Sequence, residues 1–383
     1  MMRGAGIYLH IPFCRKICHY CDFYKSRRLE WKPAFLLTLE REIAHRAPDW
    51  EGTEFTTVYF GGGTPSVLSA KEVAGILVVL QRHFSIVRNA EVTFEANPDD
   101  LSSGFLRDLR RAGVNRISIG VQALRNPLLR MMNRRHDAKA AGRAVKMAAE
   151  AGYTNISVDL IYGIPNLTVE EWEEELEEVL ALPVQHLSAY LLTFEKGTVF
   201  GRWVERGKIV PPAEEIVVEQ FHRLRKVTNE KGLLHYEISN FGKEGFFSRH
   251  NLLYWRGNPY VGLGPSAHSY NGKVRRWNLS DVQGYVKSGP REVPHEEEIL
   301  SIEDRFNDRI LTSLRTMWGI DLQQLAGEFP SSMIKGAEKA LEKWLRTGHV
   351  EREGERYRLT EEGYLLSDRV ISDCMVLSRP EGG

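Results

Sequence analysis

At 383 residues the chain is long enough for two or three compact units and a full enzyme core. Lysine plus arginine balances aspartate plus glutamate at 51 each and the hydrophobic share is 42%, the profile of an ordinary globular protein, which excludes disorder, collagen and coiled coil. The basic surplus that a non-specific nucleic-acid binder uses to neutralise phosphates is absent from this balance, so no nucleic-acid partner is expected.

In chain order, strand-like runs are predicted at 7–11, 57–60, 91–95, 116–119, 155–161 and 186–192. Amphipathic helical stripes lie between them, such as Phe35, Leu39, Ile43 and later Trp172, Leu176, Val179, Leu180. Alternation of this kind is the pattern of β-α units around a parallel sheet, an α/β fold. Periodicity does not separate a doubly wound sheet from a partial barrel. Gly61-Gly62-Gly63, Asn97-Pro98 and Gly163-Ile164-Pro165 each follow a strand, the end at which parallel α/β folds bind ligands.

After Pro211-Pro212 a helix is expected with Val217, Phe221 and Leu224 on one face, then a stretch rich in glycine and aromatic residues over 236–285. From about residue 302 the character changes to a charged helix ending near Met317, a second helix at 331–346, a strand pair at 350–359 turning at Gly354, and a last helix from Thr360. This order resembles a winged-helix module. The expected units are therefore a core over 1–235, an extension over 236–300 and a helical, winged-helix-like C-terminal part over 301–383. Arg346, Arg352, Arg356 and Arg358 in that last unit are interleaved with Glu342, Glu351, Glu353 and Glu355, a mixed field suited to a lid or protein-docking element rather than to phosphates. No apolar run approaches the roughly 18 to 20 residues of a membrane span. Residues 1–6 lead into the first strand without a secretory leader, and cytoplasmic localisation is expected.

Three of the four cysteines, Cys14, Cys18 and Cys21, are close neighbours, while Cys374 stands alone. Thiolates are soft ligands for iron–sulfur clusters or zinc. The C-x3-C-x2-C spacing leaves one iron of a cubane without a protein thiolate, an open coordination site. A structural zinc site completed by His10 or His19 is the rival reading of the same residues.

The segment Tyr8-Leu9-His10-Ile11-Pro12-Phe13-Cys14-Arg15-Lys16-Ile17-Cys18-His19-Tyr20-Cys21 resembles the cluster loop of radical S-adenosylmethionine (SAM) proteins, within them the oxygen-independent coproporphyrinogen III oxidase family. The resemblance implies a partial (β/α)6 barrel and a [4Fe–4S] cluster held by Cys14, Cys18 and Cys21. It further implies SAM chelating the fourth iron through its methionyl amine and carboxylate, and cleavage of SAM to a 5′-deoxyadenosyl radical. The turn Phe60-Gly61-Gly62-Gly63-Thr64-Pro65-Ser66 resembles the family's glycine-rich turn, where missing β-carbons are expected to let backbone approach the methionyl group. On the same resemblance SAM contacts are expected from Tyr8, Tyr20, Gly63, Thr64, Glu95, Gln122, Arg134, Asp159 and Thr193.

Two features depart from the oxidases of this family. They carry a fourth cysteine two positions after the third, where this chain has Phe23, and they have an extension ahead of the cluster loop. Both departures are shared with a sister group, the HemW haem chaperones, whose H-N-x-x-Y-W signature is matched by His250-Asn251-Leu252-Leu253-Tyr254-Trp255. That resemblance implies haem as bound cargo and transfer to acceptor haem proteins such as respiratory enzymes. A donor such as flavodoxin or ferredoxin is implied where SAM is cleaved. His250 is the candidate haem ligand, His268 a second one, and Arg275 and Arg276 are candidate partners for propionates. No catalytic residue is assigned. The alternative function is SAM-radical oxidative decarboxylation of coproporphyrinogen III to protoporphyrinogen IX.

Overall fold

Six strands that pair in the order in which they occur decide between the two architectures left open above. The computed structural model describes residues 4–289 and 292–376; residues 1–3 and 377–383, at the ends of the expected first and last units, lie outside the described residues. Strands β1 (Ala5–Ile11), β2 (Glu54–Gly62), β3 (Ser85–Ala96), β4 (Arg116–Gln122), β5 (Ile156–Tyr162) and β6 (His186–Leu191) are parallel, each paired with the next. A doubly wound sheet reverses its strand order at a switch point, and this one does not. The outer edges of β1 and β6 pair with other strands instead of each other, so the core is an open, partial (β/α)6 barrel.

The strands alternate: Ile7, Leu9 and Ile11 of β1 and Ile117, Ile119 and Val121 of β4 form a buried apolar face, while the intervening positions, among them His10, Arg116 and Ser118, are buried polar residues of the opposite face. Crossovers are made by helices α1 (Lys32–Arg46), α2 (Ala70–His83), α3 (Ser103–Ala112), α4 (Asn126–Met131), α5 (Ala138–Glu150) and α6 (Val169–Leu180). The stripes Phe35, Leu39, Ile43 and Trp172, Leu176, Val179 face the sheet and are buried. Ser69 and Thr168 close reciprocal capping boxes with Glu72 and Glu171 at the starts of α2 and α6, an arrangement worth about 1 kcal/mol at each end.

Beyond β6 come α7 (Val199–Glu205) and α8 (Glu214–Glu230), the latter burying Phe221 and Leu224. The stretch rich in glycine and aromatic residues then proves to be largely strand: β7 (Leu234–Glu237), β8 (Asn240–Gly242), helix α9 (Arg249–Trp255), β9 (Tyr260–Leu263), β10 (His268–Tyr270) and β11 (Val274–Asn278). Helix α10 (Val282–Lys287) and edge strand β12 (His295–Ile299) follow. These strands all join the core sheet, which runs β12-β11-β10-β9-β1-β2-β3-β4-β5-β6-β8-β7. The division expected at 235/236 falls inside β7, and strands from both sides of it share this one sheet. These added strands are three to five residues long and lack a sustained two-residue alternation, the signal by which a strand is read.

The C-terminal part has the winged-helix order. Helix α11 (Ile302–Leu314), short strand β13 (Ile320–Asp321), helices α12 (Leu322–Ala326) and α13 (Ser331–Arg346), and the hairpin β14 (Val350–Glu353) and β15 (Arg356–Leu359) form a sheet ordered β13-β15-β14. The last expected helix is two, α14 (Glu361–Leu365) and α15 (Ser367–Cys374). Hairpin arginines are paired with neighbouring carboxylates: Arg352 with Glu342 at 3.0 Å and Arg358 with Glu351 at 2.6 Å. Among the described residues no helix is long and apolar enough to cross a membrane.

Candidate functional site

A cavity of about 530 Å³ opens at the carboxyl ends of the six parallel strands, roofed by the cysteine loop between β1 and α1. The loop is closed at its base by backbone bonds from Cys14 to Ser26 (2.9 Å) and from Ser26 to Pro12 (2.6 Å). The turn after α4 holds it from behind. Asn133, in a left-handed conformation at φ +63°, donates Nδ2 to the Ile17 carbonyl at 2.7 Å. The His19 backbone N–H reaches Met132 at 3.1 Å, and His19 Nδ1 donates to the Met131 carbonyl at 2.8 Å.

This bracing leaves Cys14, Cys18 and Cys21 lining the cavity as free thiols. Cys14 shares a hydrogen bond with Thr64 Oγ1 (3.1 Å), and Cys18 accepts one from Arg134 Nη1 (3.3 Å). Burial pushes the Cys14 thiol up to about 11 and raises Cys21 as well, so without a metal both are neutral at physiological pH. Binding a metal deprotonates such thiols, which makes the site one that is completed by its metal. Cys374 is buried elsewhere, in α15.

The histidines proposed for zinc are otherwise engaged. His10 donates Nε2 to the Tyr24 carbonyl at 3.0 Å and accepts at Nδ1 from Tyr8 at 3.3 Å; neither His10 nor His19 lines the cavity. Among the described residues, no three His, Cys, Asp or Glu side chains are grouped so as to hold a single ion. A cubane distributes three thiolates over three irons and does not require such convergence. Phe23, at the position of the oxidases' fourth cysteine, is 71% exposed on the cavity rim.

The strand ends supply the polar wall. Thr64, Glu95, Gln122, Asp159 and Thr193 line the cavity from β2 to β6, with Tyr20 from the loop and Arg134 from the α4 turn. Arg134 is the organiser: Nη2 donates to Asn97 Oδ1 and to the Gly120 carbonyl, both at 2.7 Å, while Nη1 reaches the Tyr20 hydroxyl at 3.4 Å. Gln122 adopts φ +70°, a strained conformation for a non-glycine residue and one that concentrates at functional sites. Asp159 accepts from Ser118 at 3.0 Å, and burial raises its pKa. Burial likewise lifts Glu95 to about 7, opposed by the Tyr59 hydroxyl that donates to it at 2.6 Å and reinforced by the charge of Asp159.

Three of the expected site features have a geometry that the sequence did not show. The glycine turn lines the cavity and also needs its glycines for packing. A β-carbon on Gly63 would lie 2.8 Å from the Ile11 carbonyl oxygen, and one on Gly62, at φ +103°, would lie 2.7 Å from the His10 ring, so the missing atoms let the turn pack against β1. Tyr8 does not line the cavity; it lies behind the wall, bonded to His10 and packed on Tyr59. His250 is no open haem ligand. It is buried, with Nδ1 bonded to Thr57 at 2.7 Å, Nε2 to Tyr254 at 2.8 Å, and its ring stacked on Tyr59 at 4.9 Å. His268 is exposed on β10, stacked on Trp277. Arg275 pairs with Asp308 and Glu298, and Arg276 with Glu292.

Sequence reasoning passed over Asn97 as an acceptor, Ser118 and Tyr190, all of which line the cavity. Ser118 was within reach: it lies two residues before Gly120, a spacing that places residues of β4 on one face.

Comparison with known proteins bears on what this arrangement is. The profile of the Radical SAM superfamily matches residues 8–179, and that of the HemN C-terminal domain matches residues 300–366. The chain is 34% identical over 378 residues to a Lactococcus lactis protein named heme chaperone HemW, covering 98% of each. The chain belongs to the HemW family. A Bacillus subtilis protein of the same name is 33% identical, with 95% of this chain and 97% of that one covered. Among solved structures, coproporphyrinogen III oxidase (HemN) from Escherichia coli superposes with a TM-score of 0.84 at 24% identity, over 97% of this chain and 90% of the other. HemW and HemN thus share a fold, and membership of the radical SAM superfamily implies a [4Fe–4S] cluster and SAM.

Proposed function

We propose that this HemW protein is a haem chaperone, one that binds haem and passes it to acceptor haem proteins such as respiratory enzymes. In this reading Cys14, Cys18 and Cys21 hold a [4Fe–4S] cluster with exchangeable SAM beside it. When bound, the cluster supplies a redox centre with one iron open to SAM. The observation that carries the reading is the cysteine loop itself: three free thiols face the cavity, and Phe23 stands exposed at its rim where the decarboxylating oxidases resembled have a fourth cysteine.

The chain's own residues would act as follows. The Arg134 guanidinium donates to Cys18 and fixes the α4 turn against the strand ends through Asn97 and Gly120. Glu95, largely protonated below pH 7, and Asp159 serve as acceptors and donors for the amine and hydroxyl groups of a bound SAM. Gly63 and Thr64 position Cys14, the first through its backbone bond to Ile11 at 2.8 Å and the second through its hydroxyl. A donor such as flavodoxin or ferredoxin would be needed only where SAM is cleaved. The core, extension and winged-helix units would divide the work into cofactor holding, cargo and docking, in the reducing cytoplasm that three free thiols require.

The test is anaerobic reconstitution of the full chain followed by two assays in parallel: coproporphyrinogen III with SAM and reductant, and haem binding with transfer to a haem-free acceptor enzyme. Haem binding and acceptor activation without decarboxylation are expected. Protoporphyrinogen IX formed at enzymatic rates overturns the chaperone reading.

A further inference from the structure

A second cavity of about 450 Å³ lies well away from the cysteine loop, between the sheet edge and helix α11. One wall is a single row across three strands: Tyr260 of β9 is opposite Tyr270 of β10, which is opposite Arg275 of β11. Cross-strand partners of this kind project from the same face. The other wall is one face of α11, with Arg305, Asp308, Arg309 and Thr312 at spacings of three, four and seven. Tyr254 of the H-N-x-x-Y-W motif closes the floor, its ring edge-on to Tyr260 at 4.6 Å, and Tyr260 lies 6.2 Å from Tyr270.

A contact built only for stability would be apolar, because burying unpaired polar groups is costly. This one presents three arginines against two carboxylates, Asp308 and Glu328. Asp308 is already taken by Arg275 at 2.6 Å. Arg309 spends one nitrogen on the Arg256 carbonyl at 2.8 Å, leaving Nε buried without a partner. Arg305 makes no ion pair or side-chain hydrogen bond among the described residues, and its Nε is likewise buried and unpaired. An aromatic wall beside uncompensated guanidinium groups suits a planar ring that carries carboxylates.

We infer that this cavity is the cargo site, taking haem with its ring against Tyr254, Tyr260 and Tyr270 and its propionates toward Arg305 and Arg309. The identity of the ligand rests on the chaperone reading above; the place does not. His250 then becomes a positioning residue. It bonds Tyr254 on the cargo side and stacks on Tyr59, which donates to Glu95 in the first cavity, so the H-N-x-x-Y-W motif lies between the two sites.

The test is optical titration of the full-length, cluster-reconstituted protein with haem, comparing wild type with Arg305→Glu, with Thr312→Trp to fill the cavity, and with Lys335→Glu, exposed on α13 and absent from the cavity lining, as a control. Loss of a charge-assisted contact predicts haem binding weakened at least about tenfold in Arg305→Glu. Thr312→Trp should bind no haem, and the control should bind as wild type. Cluster absorbance and far-UV circular dichroism should be unchanged in all. Wild type that binds haem together with an Arg305→Glu variant that binds equally well overturns the site and leaves the chaperone reading standing. Wild type that binds no haem overturns both.

Discussion

Replacing His250 by alanine separates a packing residue from a metal ligand. The ring is buried between Tyr59 and Tyr254, and removing a buried aromatic side chain costs about 3–5 kcal/mol where the site does not collapse. Its two hydrogen bonds, at 2.7 and 2.8 Å, would leave the Thr57 and Tyr254 hydroxyls unpaired, each at about 1 kcal/mol. These terms overlap, and a net loss of about 4 kcal/mol is expected, a large share of the 5–15 kcal/mol typical of a folded domain. The loss should depend on pH with a definite sign. Burial, helped by the nearby Arg116 charge, drives His250 down to about 3, well below its unfolded value of 6.5. Its contribution is therefore full above pH 6.5 and is lost as the pH falls toward 3, so wild type and variant should converge on acidification. Urea unfolding followed by tryptophan fluorescence between pH 4 and 8 measures both. A variant within about 1 kcal/mol of wild type that has nonetheless lost haem binding would refute the packing argument and restore His250 as a ligand.

Serine at Cys14, Cys18 or Cys21 should abolish the visible absorbance of the reconstituted cluster while leaving the fold intact, and retention of that absorbance in all three variants would sink the metal assignment. Gly63→Ala should cost about 1–3 kcal/mol and lower the iron content per chain, because its β-carbon meets backbone atoms at 2.8 Å that cannot give way. Gly75→Ala in α2 meets open space and should be neutral or slightly stabilising in the same thermal melt. Glu95 has its pKa lifted to about 7 from 4.5, so it favours the folded state in its protonated form and that advantage is lost as the pH rises through 7. Glu95→Gln should therefore match wild type at pH 4 and exceed it by up to about 3 kcal/mol at pH 8, with equal stabilities at both pH values counting against the buried-carboxyl reading.

What could be read from the chain alone was whatever is local. The six core strands are legible because a two-residue apolar alternation runs through segments such as 7–11 and 116–119, and the helices because Phe35, Leu39 and Ile43 repeat at helical spacing. The C-x3-C-x2-C loop is legible for the same reason: one short segment carries the whole donor set, and the structure brings Cys14, Cys18 and Cys21 to one cavity with Glu95, Gln122, Arg134 and Asp159. Strand order was a different matter, since periodicity reports which faces are buried and not which neighbours bury them. Strands β9 to β12 were missed because they are short strands whose pairing partners, not their own pattern, hold them extended. The side chains of Tyr8 and His250 could be assigned a chemistry by motif, but which way each points depends on Thr57, Tyr59 and Tyr254, brought together from distant parts of the chain. The second cavity shows this most plainly. Arg305 and Arg309 lie on one helix face and Tyr260 and Tyr270 on one sheet row, and neither element bears a mark of the other until tertiary packing sets Arg275 against Asp308.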